Sequence, residues 1–185
     1  MIENPKWRII TRGFRYDMLK RVFNGINYAL LDTTPIFGQV LVECGNTLNL
    51  KENLNYSVES LLRDNRFTQQ QASDYGYIRN NGVYIQRVNE IQIGNTKYNG
   101  RYGNIQNSND GYNFRGMGLF HLTFRNNYRD FTARAREWGW IDNTIDFETN
   151  PNLLFENGGY AIMSATYFGD TITVLQMLML ILGLV

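Results

Sequence analysis

Glu43 and Glu52 stand nine positions apart in the stretch VECGNTLNLKENLNYS, residues 42–57, with a Gly-Asn break just after the first. Hydrolysis of a glycosidic bond takes one protonated carboxyl to donate to the leaving oxygen and one carboxylate to activate water or attack the sugar. The two need unlike surroundings: an apolar border suits the acid and a polar turn suits the base. Glu43 fits the first description and Glu52, which follows Lys51, fits the second. Spacing alone fits two solvated surface glutamates as well, and more commonly marks them.

The elements that would position these groups follow from periodicity. DMLKRVFNGINYALL puts Met18, Leu19, Val22, Phe23, Ile26 and Leu30 at helical spacing. Thr34 reads as an N-cap, with Pro35 at the first helical position, where its missing N–H costs nothing. A helix from Pro35 runs to a stop at Gly45. On it Ile36, Phe37, Val40 and Leu41 span an arc of about 140°, and Glu43 falls about 20° beyond its edge. YSVESLLRD reads as a further helix opened by Asn55 or Ser57, and ASDYGYIRNNGVYIQRVNEIQIGN as one or two more. Between Gly94 and Asn113 half the residues are Asn or Gly, which predicts a long polar loop. NNYRDFTARAREWG predicts a helix stopping at Gly139, and NPNLLFENGGYAIMSATYF a final helix after Pro151. The expected class is mainly α.

Composition narrows the chemistry. At 185 residues one domain is expected, burying roughly 70% of the surface that the unfolded chain exposes. A net charge of +1 offers no field for nucleic acid or anionic lipid. Cys44 and His121 are the only cysteine and histidine, which excludes an internal disulfide, the common zinc sites and any Ser-His triad not built on His121. No metal or cofactor is implied. The first residues lack the continuous apolar run of a secretory signal. The tail TITVLQMLMLILGLV, residues 171–185, is apolar but shorter than the about 20 residues that span a bilayer, so a membrane anchor is not expected.

Three stretches resemble a known family. QVLVECGNTLNLKENLNYSVESLL is similar to the segment of family 19 glycoside hydrolases, the chitinase and phage or bacterial endolysin group, that usually reads A-H-E-S-G-G-F, four residues, then E-N-L-N-Y-S. FRGMGLFHLTFRNNY resembles that family's Y-R-G-R-G-L-I-Q-L-T-G-R-x-N-Y, and NPNLLFENGGYAIMSATYF resembles its next helix. The resemblance runs from about residue 15 to 168, in the family's order. It implies a lysozyme-like helical domain with long polar loops over residues 1–170, followed by an atypical apolar tail over 171–185. It implies Glu43 as general acid and Glu52 as general base of an inverting hydrolase. Thr123 and Asn127 match positions that hold the water and the sugar, and His121 stands where the family has a substrate-binding Gln. Tyr56 and Arg115 fall on the motifs' Tyr and Arg and are expected to bind substrate. The substrate implied is polysaccharide containing β-1,4-linked N-acetylglucosamine, peptidoglycan first and chitin second. The expected protein is a monomer made in the cytoplasm that reaches the cell wall after release or by another export route.

The chain departs from the family at Val42, Cys44, Asn46, Thr47 and Met117, and after Phe168, where GDTITVLQMLMLILGLV replaces an Asn-Gly-Gly stretch and a closing helix. Such a change is what a frameshift or truncation would produce. Two rival readings stand beside the hydrolase. One is a degenerate sugar-binding relative, with Tyr98, Tyr102, Tyr112 and Phe114 stacking on sugar rings. The other is a cell-wall peptidase with Cys44 as nucleophile and His121 as base. A cysteine at a helix C-terminus meets the negative end of the dipole, which disfavours the thiolate that this chemistry needs.

Overall fold

The computed structural model describes residues 49–168. The expected helices over residues 18–30 and 35–45, with Glu43 and Cys44 on the second, and the apolar tail lie outside the described residues. Within 49–168 the chain is mainly helical, with seven helices and one two-stranded antiparallel sheet. It divides into two compact units.

One unit comprises Asn53–Arg115 and Phe124–Asn126. Its core is Leu54, Leu61, Phe67, Ala72 and Ile93, with Tyr56, Tyr75, Val88 and Tyr112 packed against it. Helix α1 (Val58–Leu62) starts at Ser57, whose Oγ accepts from the Ser60 N–H at 3.1 Å. Helix α2 (Gln69–Tyr75) opens on a capping box. Thr68 Oγ1 accepts from the Gln71 N–H, and Gln71 Oε1 accepts from the Thr68 N–H.

The next stretch corrects the helical expectation. Residues 78–86 form a hairpin of β1 (Ile78–Asn80) and β2 (Val83–Gln86), joined by Asn81 and Gly82 at φ 49° and 80°. Positive φ at both turn residues matches the twist of paired strands, and Asn-Gly reaches it with least strain. Gln86 ties the hairpin to the unit by donating through Nε2 to the carbonyls of Gly76 (2.6 Å) and Ser73 (2.7 Å). Arg79 lies 4.0 Å over the Tyr84 ring. Val83 and Ile85, alternating with Tyr84 and Gln86, remain 68% and 67% exposed.

The polar loop is shorter than its composition predicts. Asn89 caps α3 (Glu90–Tyr98), and α4 (Asp110–Asn113) follows at the other end, leaving residues 99–109 irregular. Gly94 does not break α3, because its role is close packing. A Cβ on Gly94 would lie 2.9 Å from Tyr112 Cα, and one on Gly111 would run into the Gly94 carbonyl oxygen. These two glycines let α3 and α4 touch backbone to backbone.

Asp110 organises the loop. Its carboxylate takes a bidentate pair from Arg125, Nη2 to Oδ1 at 2.6 Å and Nε to Oδ2 at 2.9 Å, and accepts the Ile105 N–H at 2.8 Å. Burial works to raise its pKa, but the Arg125 and Ile105 hydrogen bonds outweigh it, and the group stays ionised below the usual carboxylate range.

The described part of the other unit is residues 49–52, 116–123 and 127–168. Helix α5 (Arg125–Glu137) buries Tyr128, Phe131, Thr132 and Ala135, the i, i+3, i+4, i+7 stripe of an amphipathic helix. It ends as expected at Gly139, at φ 69°. There the Trp140 N–H reaches the Ala135 carbonyl and the Gly139 N–H the Arg136 carbonyl, a Schellman closure. Phe131 stacks on Phe147 at 4.8 Å, and Thr132, though buried, is satisfied by the Tyr128 carbonyl and the Phe147 N–H. The expected single last helix is two, α6 (Leu153–Glu156) and α7 (Gly158–Phe168). Asn157 separates them, because its Oδ1 accepts the Gly159 N–H at 2.9 Å and starts a helix rather than continuing one. No helix among the described residues is long and apolar enough to cross a membrane.

Three outcomes are expected from unfolding measurements. Asp110→Ala removes the bidentate partner of the half-buried Arg125 guanidinium and the acceptor of the Ile105 N–H, and costs about 1 to 3 kcal/mol. A depressed folded pKa contributes stability that is complete above the unfolded value of 3.8 and is lost as pH falls through the folded value. Asp110→Asn therefore flattens the acid limb of the stability profile below about pH 4. Val83→Thr with Ile85→Thr changes the unfolding free energy by less than about 1 kcal/mol, against about 2 to 5 for Leu54→Ala. Equal losses would contradict the placement of β2 outside the core.

Candidate active site

The segment Gly116–Gly118 is paired along both edges. On one side the Glu52 N–H donates to the Gly116 carbonyl at 2.8 Å and the Gly118 N–H to the Leu50 carbonyl at 2.9 Å. On the other, Met117 and Leu122 exchange both backbone bonds, at 3.1 and 2.8 Å. Bridges Lys51 to Met117 and Met117 to Leu122 thus make a two-rung antiparallel ladder across three backbone segments, with Met117 fully buried at its centre.

That ladder carries the candidate side chains. The half-buried Glu52 directs its carboxylate back along the pairing, where Oε2 meets the Gly116 N–H at 3.4 Å, across 64 residues of sequence. His121 Nε2 lies 2.9 Å from the Asn49 carbonyl. A carbonyl oxygen only accepts, so Nε2 carries a proton, and Nδ1 is left for other work. His121 also holds φ at 48°, a left-handed conformation that a non-glycine residue adopts at some cost. Thr123 Oγ1 donates to the His121 carbonyl at 2.7 Å, and Asn127 Nδ2 donates to the Thr123 carbonyl at 2.7 Å. These bonds run turn, hydroxyl, amide into the first turn of α5, and leave the Asn127 Oδ1 available as an acceptor.

Both motif glycines have steric reasons. A Cβ on Gly116 would come within 2.7 Å of His121 Cβ. Gly118 sits at φ 81°, with the Ser164 hydroxyl where its Cβ would go. The ladder can therefore approach His121 and α7 only with hydrogen at these two positions.

Of the seven residues singled out in the sequence, Glu52, His121, Thr123 and Asn127 belong to this unit and to one run of hydrogen-bonded backbone. Tyr56 and Arg115 belong to the other unit. Tyr56 packs on its core, with Lys97 Nζ 5.1 Å over the ring. Arg115 is 3% exposed, donates to the Tyr112 carbonyl and lies 4.0 Å over the Tyr112 ring. Glu43 lies outside the described residues. Of the four aromatics weighed for stacking, Phe114 is buried beside the Arg125 guanidinium, and Tyr98 and Tyr102 both meet Phe124. Asn49 was missed by sequence reading, since it acts through its main-chain carbonyl and any residue type could supply that group.

No family model matches the chain, and no curated protein matches it.

Gly116→Ala is expected to cost about 1 to 3 kcal/mol through overpacking against His121. The His121 ring resonances in NMR should shift while those of Trp138, just past the C-terminal end of α5, stay in place. Unchanged His121 signals would mean that the ring does not pack on Gly116.

Proposed function

We propose that the chain is a lysozyme-like glycoside hydrolase that cleaves N-acetylglucosamine-containing polysaccharide, peptidoglycan or chitin, by an inverting general acid/base mechanism. The observation that carries the reading is the ladder. It joins the E-N-L-N-Y-S stretch to the F-R-G-M-G-L-F-H-L-T stretch through their backbones, and so sets Glu52, His121, Thr123 and Asn127 along one frame. Residues that could act on one substrate are held by bonds that do not depend on substrate.

In this mechanism Glu52 is the base. It takes a proton from water while that water attacks the anomeric carbon on the face opposite the leaving oxygen, and Glu43 donates a proton to that oxygen as the bond breaks. The Gly116 N–H and the ladder behind it hold the Glu52 carboxylate against rotation. Thr123 and Asn127 orient water and sugar, with the Asn127 Oδ1 as the acceptor that its structural bond leaves over. His121 replaces an amide. With Nε2 committed to Asn49, it offers one ring nitrogen to the sugar instead of an amide's donor and acceptor pair. No metal or cofactor takes part in the proposed reaction.

The test is hydrolysis of glycol chitin and of purified peptidoglycan by the wild type, Glu52→Gln and Glu43→Gln, with product anomers read by NMR. Each substitution is expected to lower the rate about 10² to 10⁴-fold, and the first product should be the inverted anomer. Binding without release of reducing ends by the wild type would overturn the proposal in favour of a sugar-binding relative.

A further inference from the structure

The unit formed by Asn53–Arg115 and Phe124–Asn126 has a cleft of about 560 Å³ between α2, α3 and the loop ahead of α4. Its size falls in the range of about 300 to 1,000 Å³ usual for small-ligand sites, but its lining is unlike the mostly apolar norm. Ten residues line it; none is charged, and Tyr75 is the only aromatic. Such a surface has nothing to neutralise a phosphate or carboxylate and little to bury an apolar side chain. What it offers is a dense set of neutral donors and acceptors.

Part of that set is fixed by the fold. Asn99 is spent on the Gly111 N–H and the Ser108 carbonyl, both at 2.7 Å. Asn95 accepts from the Tyr112 N–H and donates to Asn109 Oδ1, both at 3.0 Å. This leaves the Asn109 Nδ2 as a donor held in place. Gln92, Gln106 and Asn107 reach the same cleft as exposed side chains. A hydrogen-bonded amide floor with exposed amides at the rim suits a ligand that presents many uncharged polar groups at once.

We propose that this cleft is a second, non-catalytic glycan site that holds a neutral N-acetylated sugar chain by its hydroxyl and acetamido groups. It shares no residue with the ladder that carries Glu52. The choice of an N-acetylated sugar as occupant rests on the substrate class proposed above; the neutral hydrogen-bonding character of the site does not. The site would keep the protein on its polymer between cleavage events, raising the local concentration of substrate without taking part in bond breaking.

The test uses the full chain carrying Glu52→Gln, titrated with tetra-N-acetylchitotetraose and followed by ¹⁵N NMR. Saturable shifts are expected at the amides of Asn95, Thr96 and Asn99. Adding Gln92→Ala and Gln106→Ala, two exposed side chains, should weaken that binding by about tenfold or more. In a Glu52 background the same double substitution should leave hydrolysis of a short soluble substrate unchanged. Silence of these amides up to about 10 mM sugar, or shifts indifferent to the double substitution, would overturn the proposal. Turnover with a silent cleft would leave the hydrolase reading standing alone, whereas a responsive cleft without turnover in the wild type would do the reverse.

Discussion

The backbone of Met117 is the constraint on which the candidate active site depends. It is paired with Leu122 on one edge, its neighbours Gly116 and Gly118 are paired with Glu52 and Leu50 on the other, and its side chain is wholly buried. A buried main-chain group left without a partner costs about 1 to 3 kcal/mol, so the bonds on the two edges stand or fall together. The pairing needs a hydrogen in place of a side chain on both sides of Met117, because His121 and Ser164 occupy the space. Position and tautomer then follow: Glu52 accepts from the Gly116 N–H, and His121 donates a hydrogen bond through Nε2 to the Asn49 carbonyl. The positions of these side chains are thus set by main-chain pairing within the unit.

The other unit reaches order by a different route. Residues 99–109 bury little apolar surface, and hydrogen bonds do the work instead. Asp110 gathers Arg125 and Ile105, Asn104 spans the Tyr98 carbonyl and the Arg125 N–H, and Asn99 spans Ser108 and Gly111. Asn and Asp are the residues suited to this, since a short side chain can satisfy backbone groups a few positions away that no helix or sheet serves. An Asn-rich composition is compatible with a fixed structure when most amides have assigned partners. It also explains the uncharged, polar lining of the cleft beside this loop.

How legible these features are in the sequence depends on the range of the forces behind them. Helix α5 is readable because the stripe of Tyr128, Phe131, Thr132 and Ala135 and the stop at Gly139 are both local patterns. Ser57 as a cap is readable for the same reason. The hairpin at 78–86 is misread as helix, although Asn81-Gly82 carries the turn signal, because its apolar residues face outward and so fail to mark a core side. Gly94 is misread as the start of the polar loop because its reason, the approach of Tyr112, lies eighteen residues on. Asn157 divides α6 from α7 through one side-chain bond that competes with helix continuation.

Residue types and spacing by themselves determined a single histidine and cysteine, the mainly helical class found over the described residues, and the pair of carboxylates for which glycosidic chemistry is proposed. Only the tertiary structure decided that Glu52 meets Gly116, that His121 is held by a main-chain carbonyl, and that Arg115 is buried against Tyr112. The physical reason is range. Periodicity and capping record neighbours within a turn or two, whereas a backbone pairing across 64 residues leaves its trace only in the two glycines that make room for it.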